Sequence, residues 1–247
     1  VLAGGILKRA AKPEQKAKWL AGIIDGSQQA ALAFAEPQSR YDTANIATSA
    51  KPDSNGNGWV LNGSKTLVLN GGAADLLIVP ARVSGAQTDQ DGISLFALNA
   101  TAAGIERKSY KTVDAHGAAE ITLNNVAVDE TALLGGDGGG FPVLADTIND
   151  GTLAVCAEAV GIMRSMHDKT VEYAKQRIQF GVPIGSFQAL QHRMVDTLMA
   201  CEQARSLMLR AVMLSAADSP DARRAISELK YLIGTAGRRL AQEAVQI

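Results

Sequence analysis

The spacing of apolar residues changes twice along the chain. Near the start, Trp19, Leu20, Ile23 and Ile24 recur at helical spacing behind Pro13-Glu14, which predicts a helix opening at Pro13. From residue 31 to about 135 the period shortens. β-rich runs at 59–61, 66–69, 76–82, 93–98, 120–123 and 126–128 alternate with turn signals. Those signals are the 53–58 segment, Asn62-Gly63, Asn70-Gly71-Gly72 and Asp91-Gly92. Short strands so punctuated predict an antiparallel barrel or sandwich. Pro80, inside one run, predicts an edge or a bulge there.

From Thr152 onward the period is helical again. Leu153, Cys156, Val160, Met163, His167, Val171 and Ala174 share one face; Phe187, Leu190, Met194, Leu198, Cys201, Ala204 and Met208 share the next. Ser219-Pro220-Asp221 reads as an N-cap with Pro at the first helical position. Behind it, Ile226, Leu229, Ile233, Ala236 and Leu240 mark a third face. Long helices of this kind predict a bundle. The glycine run 135–140 lacks the Lys-Ser/Thr ending of a phosphate loop and reads as a hinge between the β region and the bundle.

Composition narrows the functional classes. With 24 Lys plus Arg against 25 Asp plus Glu, the net charge is −1. No basic face is implied, so nucleic acid is not an expected partner. Apolar residues make up 47% of the 247, enough for a sizeable core. No apolar run reaches membrane-spanning length, and no signal peptide is visible, so a cytoplasmic location without membrane insertion is expected. Cys156 and Cys201 fall on apolar helical faces and read as core residues rather than a disulfide or a nucleophile. The three histidines have no metal-ligand spacing, and no metal is expected. His167 reads as a core histidine. The sequence has no initiator Met and stops inside a helical pattern, so a piece truncated at both ends is expected.

Residues 177–188, Arg-Ile-Gln-Phe-Gly-Val-Pro-Ile-Gly-Ser-Phe-Gln, join two predicted helices. A fixed cation, amides and aromatics around a Gly/Pro turn suit an anionic, planar ligand. An ordinary helix–helix turn with a surface Arg fits the same spacing.

At this segment the sequence resembles the acyl-CoA dehydrogenase family, whose signature is Arg-x-x-Phe-Gly followed by Phe-Gln. Other segments follow in the family's order. Ala33-Phe34-Ala35-Glu36-Pro37 is similar to its Thr-Glu-Pro segment. Asn62-Gly63-x-Lys65 through Asn70-Gly71 is similar to its Asn-Gly-x-Lys-x-Trp-Ile-Thr-Asn strand, and the run ending Val245-Gln246-Ile247 is similar to the helix before its Gly-Gly motif. The resemblance implies an α+β fold: the end of an N-terminal helical domain (1–30), a middle antiparallel β domain (31–135) and a C-terminal helical bundle (141–247).

It further implies FAD as cofactor and the removal of hydrogens from C-α and C-β of an acyl-CoA thioester, as in fatty acid metabolism. Electrons would pass to an electron-transfer flavoprotein, within a homo- or heterotetramer. Phe34, Ala35, Leu67, Val68 and Leu69 would line the flavin of their own subunit. Arg177, Gln179, Phe180 and Gln188 would reach the FAD of a neighbour.

Departures from the pattern concern substrate and base. Leu67-Val68-Leu69 replaces Trp-Ile-Thr, which removes a hydroxyl and an indole. Arg40-Tyr41-Asp42 replaces Gly-Ser-Asp, so Arg40 and Tyr41 are expected at the substrate. The run 39–42 resembles the branch of pimeloyl-CoA dehydrogenase small subunits. The family's usual catalytic Glu would lie past Ile247, and its alternative position aligns with Gly151, beside Thr152. No catalytic base is thereby identified; Asp150 is the adjacent carboxylate. A non-catalytic partner subunit, or an acyl-CoA oxidase or flavin monooxygenase on the same fold, are the alternatives.

Overall fold

The computed structural model describes residues 1–54 and 56–247. The turn expected at 53–58 includes Asn55, which lies outside the described residues. Two compact units divide at Ile148 and Asn149.

The first unit opens with α1 (Leu2–Ala10) and α2 (Pro13–Asp25), the latter starting at Pro13 as the sequence predicts. Eight strands follow among the described residues. They are β1 (Ala30–Leu32), β2 (Ser49–Pro52), β3 (Gly58–Leu69), β4 (Leu76–Arg82), β5 (Ile93–Asn99), β6 (Ile105–Lys111), β7 (Gly117–Asp129) and β8 (Leu133–Leu134). Their order in the sheet is β6-β7-β3-β2-β4-β5-β8, with β1 also on β4. Most pairs are antiparallel; β1 and β2 run parallel to β4.

β4 is buried throughout because it faces two cores. Leu77 and Val79 pack with Leu61, Val68, Phe96 and Ile121, whereas Leu76 and Ile78 pack with Ile6, Leu7 and Trp19 of the helices. Burying such side chains is worth roughly 1.5–3 kcal/mol each, so β4 ties the two cores together. Pro80 therefore lies in an interior strand, not at a sheet edge. It sits between the stretch paired to β1 and the residue paired to β2, where that flank has no ladder partner to miss its N–H.

Asn62-Gly63 is not a hairpin turn. β3 runs straight through it, with a register shift against β7 between Leu61 and Gly63. Asn62 and Asn125 bond to each other across this irregularity. Gly63 takes φ +153°, and a Cβ there would come 2.5 Å from Thr48 Oγ1, so only glycine fits. In the same way the two runs read at 120–123 and 126–128 are one strand, β7.

The glycine run is not a free hinge. Gly138 O accepts from Gly92 N, Gly138 N donates to Ser94 Oγ, and Gly140 N donates to Ile93 O, so the run is laced to β5. The following helix, α3 (Phe141–Gln176), begins eleven residues earlier than the Thr152 start read from periodicity.

In the second unit, the remainder of α3 packs with α4 (Gln188–Ala216) and α5 (Ala222–Gln246) around Cys156, Met163, Cys201, Ala204, Leu229 and Leu240. α5 starts at Ala222 rather than at Pro220. The Ser219 hydroxyl accepts the Asp221 amide one turn earlier. His167 is a core histidine: Thr197 Oγ1 donates to Met194 O and accepts from His167 Nδ1 at 2.9 Å, which places the proton on Nδ1. Burial lowers the His167 pKa and raises those of both cysteine thiols, which are inert core groups.

Candidate functional site

Phe34, Ala35, Leu67 and Leu69 meet in one apolar cleft of about 360 Å³, closed on another side by Leu2 and Gly4 of α1. Two devices bring them there. The first is a buried ion pair. Lys65 Nζ, on β3, lies 2.7 Å from Glu36 Oε1 and 2.7 Å from the Pro80 carbonyl oxygen. The Glu36 carboxylate also accepts from the amides of Ala47 and Thr48 and from Gln38 Nε2. Burial alone would raise the Glu36 pKa, but the Lys65 charge and these donors hold it below the ordinary value. Burial pulls Lys65 below the usual lysine value, against the attraction of Glu36. The pair fixes segment 33–36 against β3.

The second device is a bulge. The β3–β7 register passes from Lys65↔Ile121 directly to Val68↔Ala119, leaving Thr66 and Leu67 opposite Glu120. Thr66 N turns away to Ala35 O at 2.9 Å, and Leu67 adopts φ +48°. Side chains alternate faces along a strand, and one extra residue reverses the alternation. Lys65 faces inward, and so does Val68. Leu67 and Leu69 both face outward, 53% and 54% exposed. Val68 was expected to line the ligand, but its side chain is in the core.

Arg40 and Tyr41 are not in the cleft lining. They stand at the tip of loop 37–48, Arg40 at φ +47° and Tyr41 99% exposed. The far end of that loop is tied down by a residue that no sequence pattern singled out. Arg82 is buried, and its guanidinium donates to the carbonyls of Ala44, Ile46, Ser84, Gln87, Asp89 and Asp91 at 2.8–3.2 Å. Glu120, opposite the bulge, is the other residue that sequence pattern missed.

In the second unit, residues 177–188 form a hairpin rather than a plain helix–helix turn. β9 (Ile178–Gln179) pairs with β10 (Val182–Pro183) around Phe180-Gly181, with φ +56° and +80°. Two positive φ values are the type I′ pattern, and a Phe there is costly. Phe180 is 92% exposed and meets Phe187 edge-on at 6.1 Å. Arg177, Gln179 and Gln188 are exposed as well. The hairpin thus presents an exposed cation beside a solvent-facing aromatic held at positive φ.

Asp150, Gly151 and Thr152 lie inside α3, not at its start. No carboxylate is among the residues lining the cleft. Among the described residues no group of three or more His, Cys, Asp or Glu is placed to hold a metal, and no helix is long and apolar enough to cross a membrane.

Comparison with known proteins decides the family. The model of the acyl-CoA dehydrogenase middle domain matches residues 31–126, and that of the acyl-CoA dehydrogenase C-terminal domain matches 138–247. The chain belongs to the acyl-CoA dehydrogenase family. An acyl-CoA dehydrogenase of Bacillus subtilis (strain 168) is 34% identical over 237 residues, 95% of this chain and 62% of the relative. The solved structure of butyryl-CoA dehydrogenase from Megasphaera elsdenii superposes with a TM-score of 0.92 at 30% identity, covering 99% of this chain and 64% of that one. PigA with FAD and proline has a TM-score of 0.92 at 28% identity, covering 98% and 63%. The chain therefore spans about three fifths of the length of these acyl-CoA dehydrogenase relatives.

Proposed function

We propose that the protein carrying this chain is an FAD-dependent dehydrogenase that desaturates an acyl-CoA thioester between C-α and C-β and passes the electrons to an electron-transfer flavoprotein. The observation that carries the reading is the cleft. Phe34, Ala35, Leu67 and Leu69 form an apolar wall suited to a flat ring system, at the segments where the family's relatives align. The residues fit the cofactor: the cleft would take the ring of the subunit's own FAD, and the exposed Arg177, with Gln179, Phe180 and Gln188 beside it, would take the pyrophosphate of a neighbouring subunit's FAD. When bound, FAD supplies the acceptor for two electrons.

This chain's own residues bind and exclude water. Leu67 and Leu69 offer no side-chain donor to the ring, so polar contacts there fall to the backbone. Arg40 and Tyr41, raised on the loop pinned by Arg82, are assigned to the outer, CoA part of the substrate. The proton on C-α needs a carboxylate within hydrogen-bond reach, and the cleft lining has none. We assign the base to sequence beyond 1–247. Exposed Val195, Leu198, Met199, Leu209, Val212 and Met213 along α4 support an oligomer in which Arg177 and its neighbours complete a second subunit's site. We assign the protein to the cytoplasm.

A second reading follows from Gly151 and Thr152, which cannot act as base and substrate clamp: a partner subunit that binds FAD while another chain supplies the base. The test uses the full-length protein, loaded with FAD and mixed with a panel of acyl-CoAs without oxygen. Bleaching of the flavin absorbance supports the dehydrogenase. FAD uptake without bleaching, restored by a co-expressed partner, supports the second reading. No FAD uptake overturns both.

A further inference from the structure

The bulge at Thr66-Leu67 has two backbone N–H groups that the β3–β7 ladder does not use, one on half-buried Thr66 and one on solvent-exposed Leu67. Thr66 N has the Ala35 carbonyl. Leu67 N has Glu120: its Oε1 lies 3.3 Å away, on the residue of β7 that stands opposite Thr66 and Leu67. The same oxygen accepts the Tyr110 hydroxyl at 2.7 Å from the neighbouring strand β6. Lys108 stands opposite Glu120 in the β6–β7 register and adds a favourable charge. A leucine at φ +48° costs on the order of 1 kcal/mol, so something nearby must favour it.

We propose that Glu120 is a positioning residue for the cofactor-facing edge: by capturing the Leu67 amide it fixes the bulge that turns Leu67 and Leu69 together onto the cleft. The proposal rests on the reading that the cleft takes the flavin ring. Without the bulge the alternation of β3 would send Leu67 inward and Val68 outward, and the wall beside Phe34 and Ala35 would be lost. Tyr110 orients the carboxylate. The effect on the cofactor is indirect, through the backbone of 67–69.

The test compares full-length parent, Glu120→Ala and Glu120→Gln, each as apoprotein and loaded with FAD. In the apoprotein, amide hydrogen exchange at Leu67 should quicken about tenfold in Glu120→Ala, the equivalent of one lost hydrogen bond. In the loaded protein, the flavin absorption band should shift, and FAD affinity should fall about five- to tenfold. Glu120→Gln keeps an oxygen that can accept the Leu67 amide, and should restore both readouts to within about twofold. Unchanged exchange in Glu120→Ala overturns the proposal. So does faster exchange with an unmoved flavin band, or a Gln variant as impaired as the Ala variant. A parent that takes up no FAD overturns the cleft reading instead, and the parent's own FAD titration tells the two failures apart.

Discussion

Lys65 Nζ lies 2.7 Å from Glu36 Oε1, with side chains 0% and 1% exposed. The pair joins the strand that carries Leu67 and Leu69 to the segment that carries Phe34 and Ala35. Removing one partner leaves the other as an uncompensated buried charge, which costs roughly 3–5 kcal/mol. Lys65→Ala should therefore destabilise by about that amount in urea unfolding and lower the yield of folded protein. A loss under 1 kcal/mol would mean that the pair contributes nothing to holding the cleft.

The same pair sets a pH dependence. The Glu36 pKa is held below its ordinary value of 4.5 in the folded state. Its contribution to stability is then complete above the unfolded value and is lost as pH falls through the lower folded value. Acid unfolding of the parent should steepen below pH 4.5, and Glu36→Gln should flatten that limb while costing stability at pH 7. Parallel acid limbs in parent and variant would remove Glu36 from the account.

Arg82 gives a prediction about loop 37–48. Its donors serve six backbone carbonyls on segments 44–46 and 84–91. Arg82→Met deletes charge-assisted bonds and leaves carbonyls unsatisfied, at a cost of about 2–4 kcal/mol. Limited proteolysis should then cut first within 37–48 or 84–91. If cleavage stays elsewhere and stability is unchanged, Arg82 does not hold the pedestal of Arg40 and Tyr41.

How much of this was legible in the sequence depended on the range of the interaction. Local period gave the helices and most strands, because apolar spacing reports one element at a time. Turn chemistry misled at Asn62-Gly63, where the glycine serves a close approach of Thr48 instead of a hairpin. Pro80 misled because a local gap between β1 and β2 mimics an edge. The motif residues Glu36 and Lys65 were visible as family landmarks, but their pairing across 29 positions was not. Arg82 and Glu120 had no signal at all: an Arg that bonds only carbonyls and a Glu that accepts from one amide and one hydroxyl look like any surface charge until the loops and strands around them are folded.

For the hairpin of the second unit, Arg177→Ala in the full-length protein should weaken FAD binding about ten- to a hundredfold, the loss of a charge-assisted contact worth roughly 1.5–3 kcal/mol. A titration followed by flavin fluorescence measures it. Unchanged retention of FAD would sink the assignment of Arg177 to the pyrophosphate.

The base provides the last prediction. Proton abstraction needs a carboxylate close to C-α, and the cleft lined by Phe34, Ala35, Leu67 and Leu69 has none. Gly151 has no side chain to serve in its place. Residues 1–247 supplied with FAD and acyl-CoA should therefore reduce the flavin on the order of 10²–10⁴ times more slowly than the full-length protein, the usual cost of a missing general base. The measurement is flavin absorbance after anaerobic mixing, with FAD uptake checked separately so that an empty cleft is not mistaken for a missing base. Bleaching within seconds would place a base inside 1–247. Asp150→Asn would then be the first variant to make, and abolition of bleaching in it would move the proton-accepting role to α3.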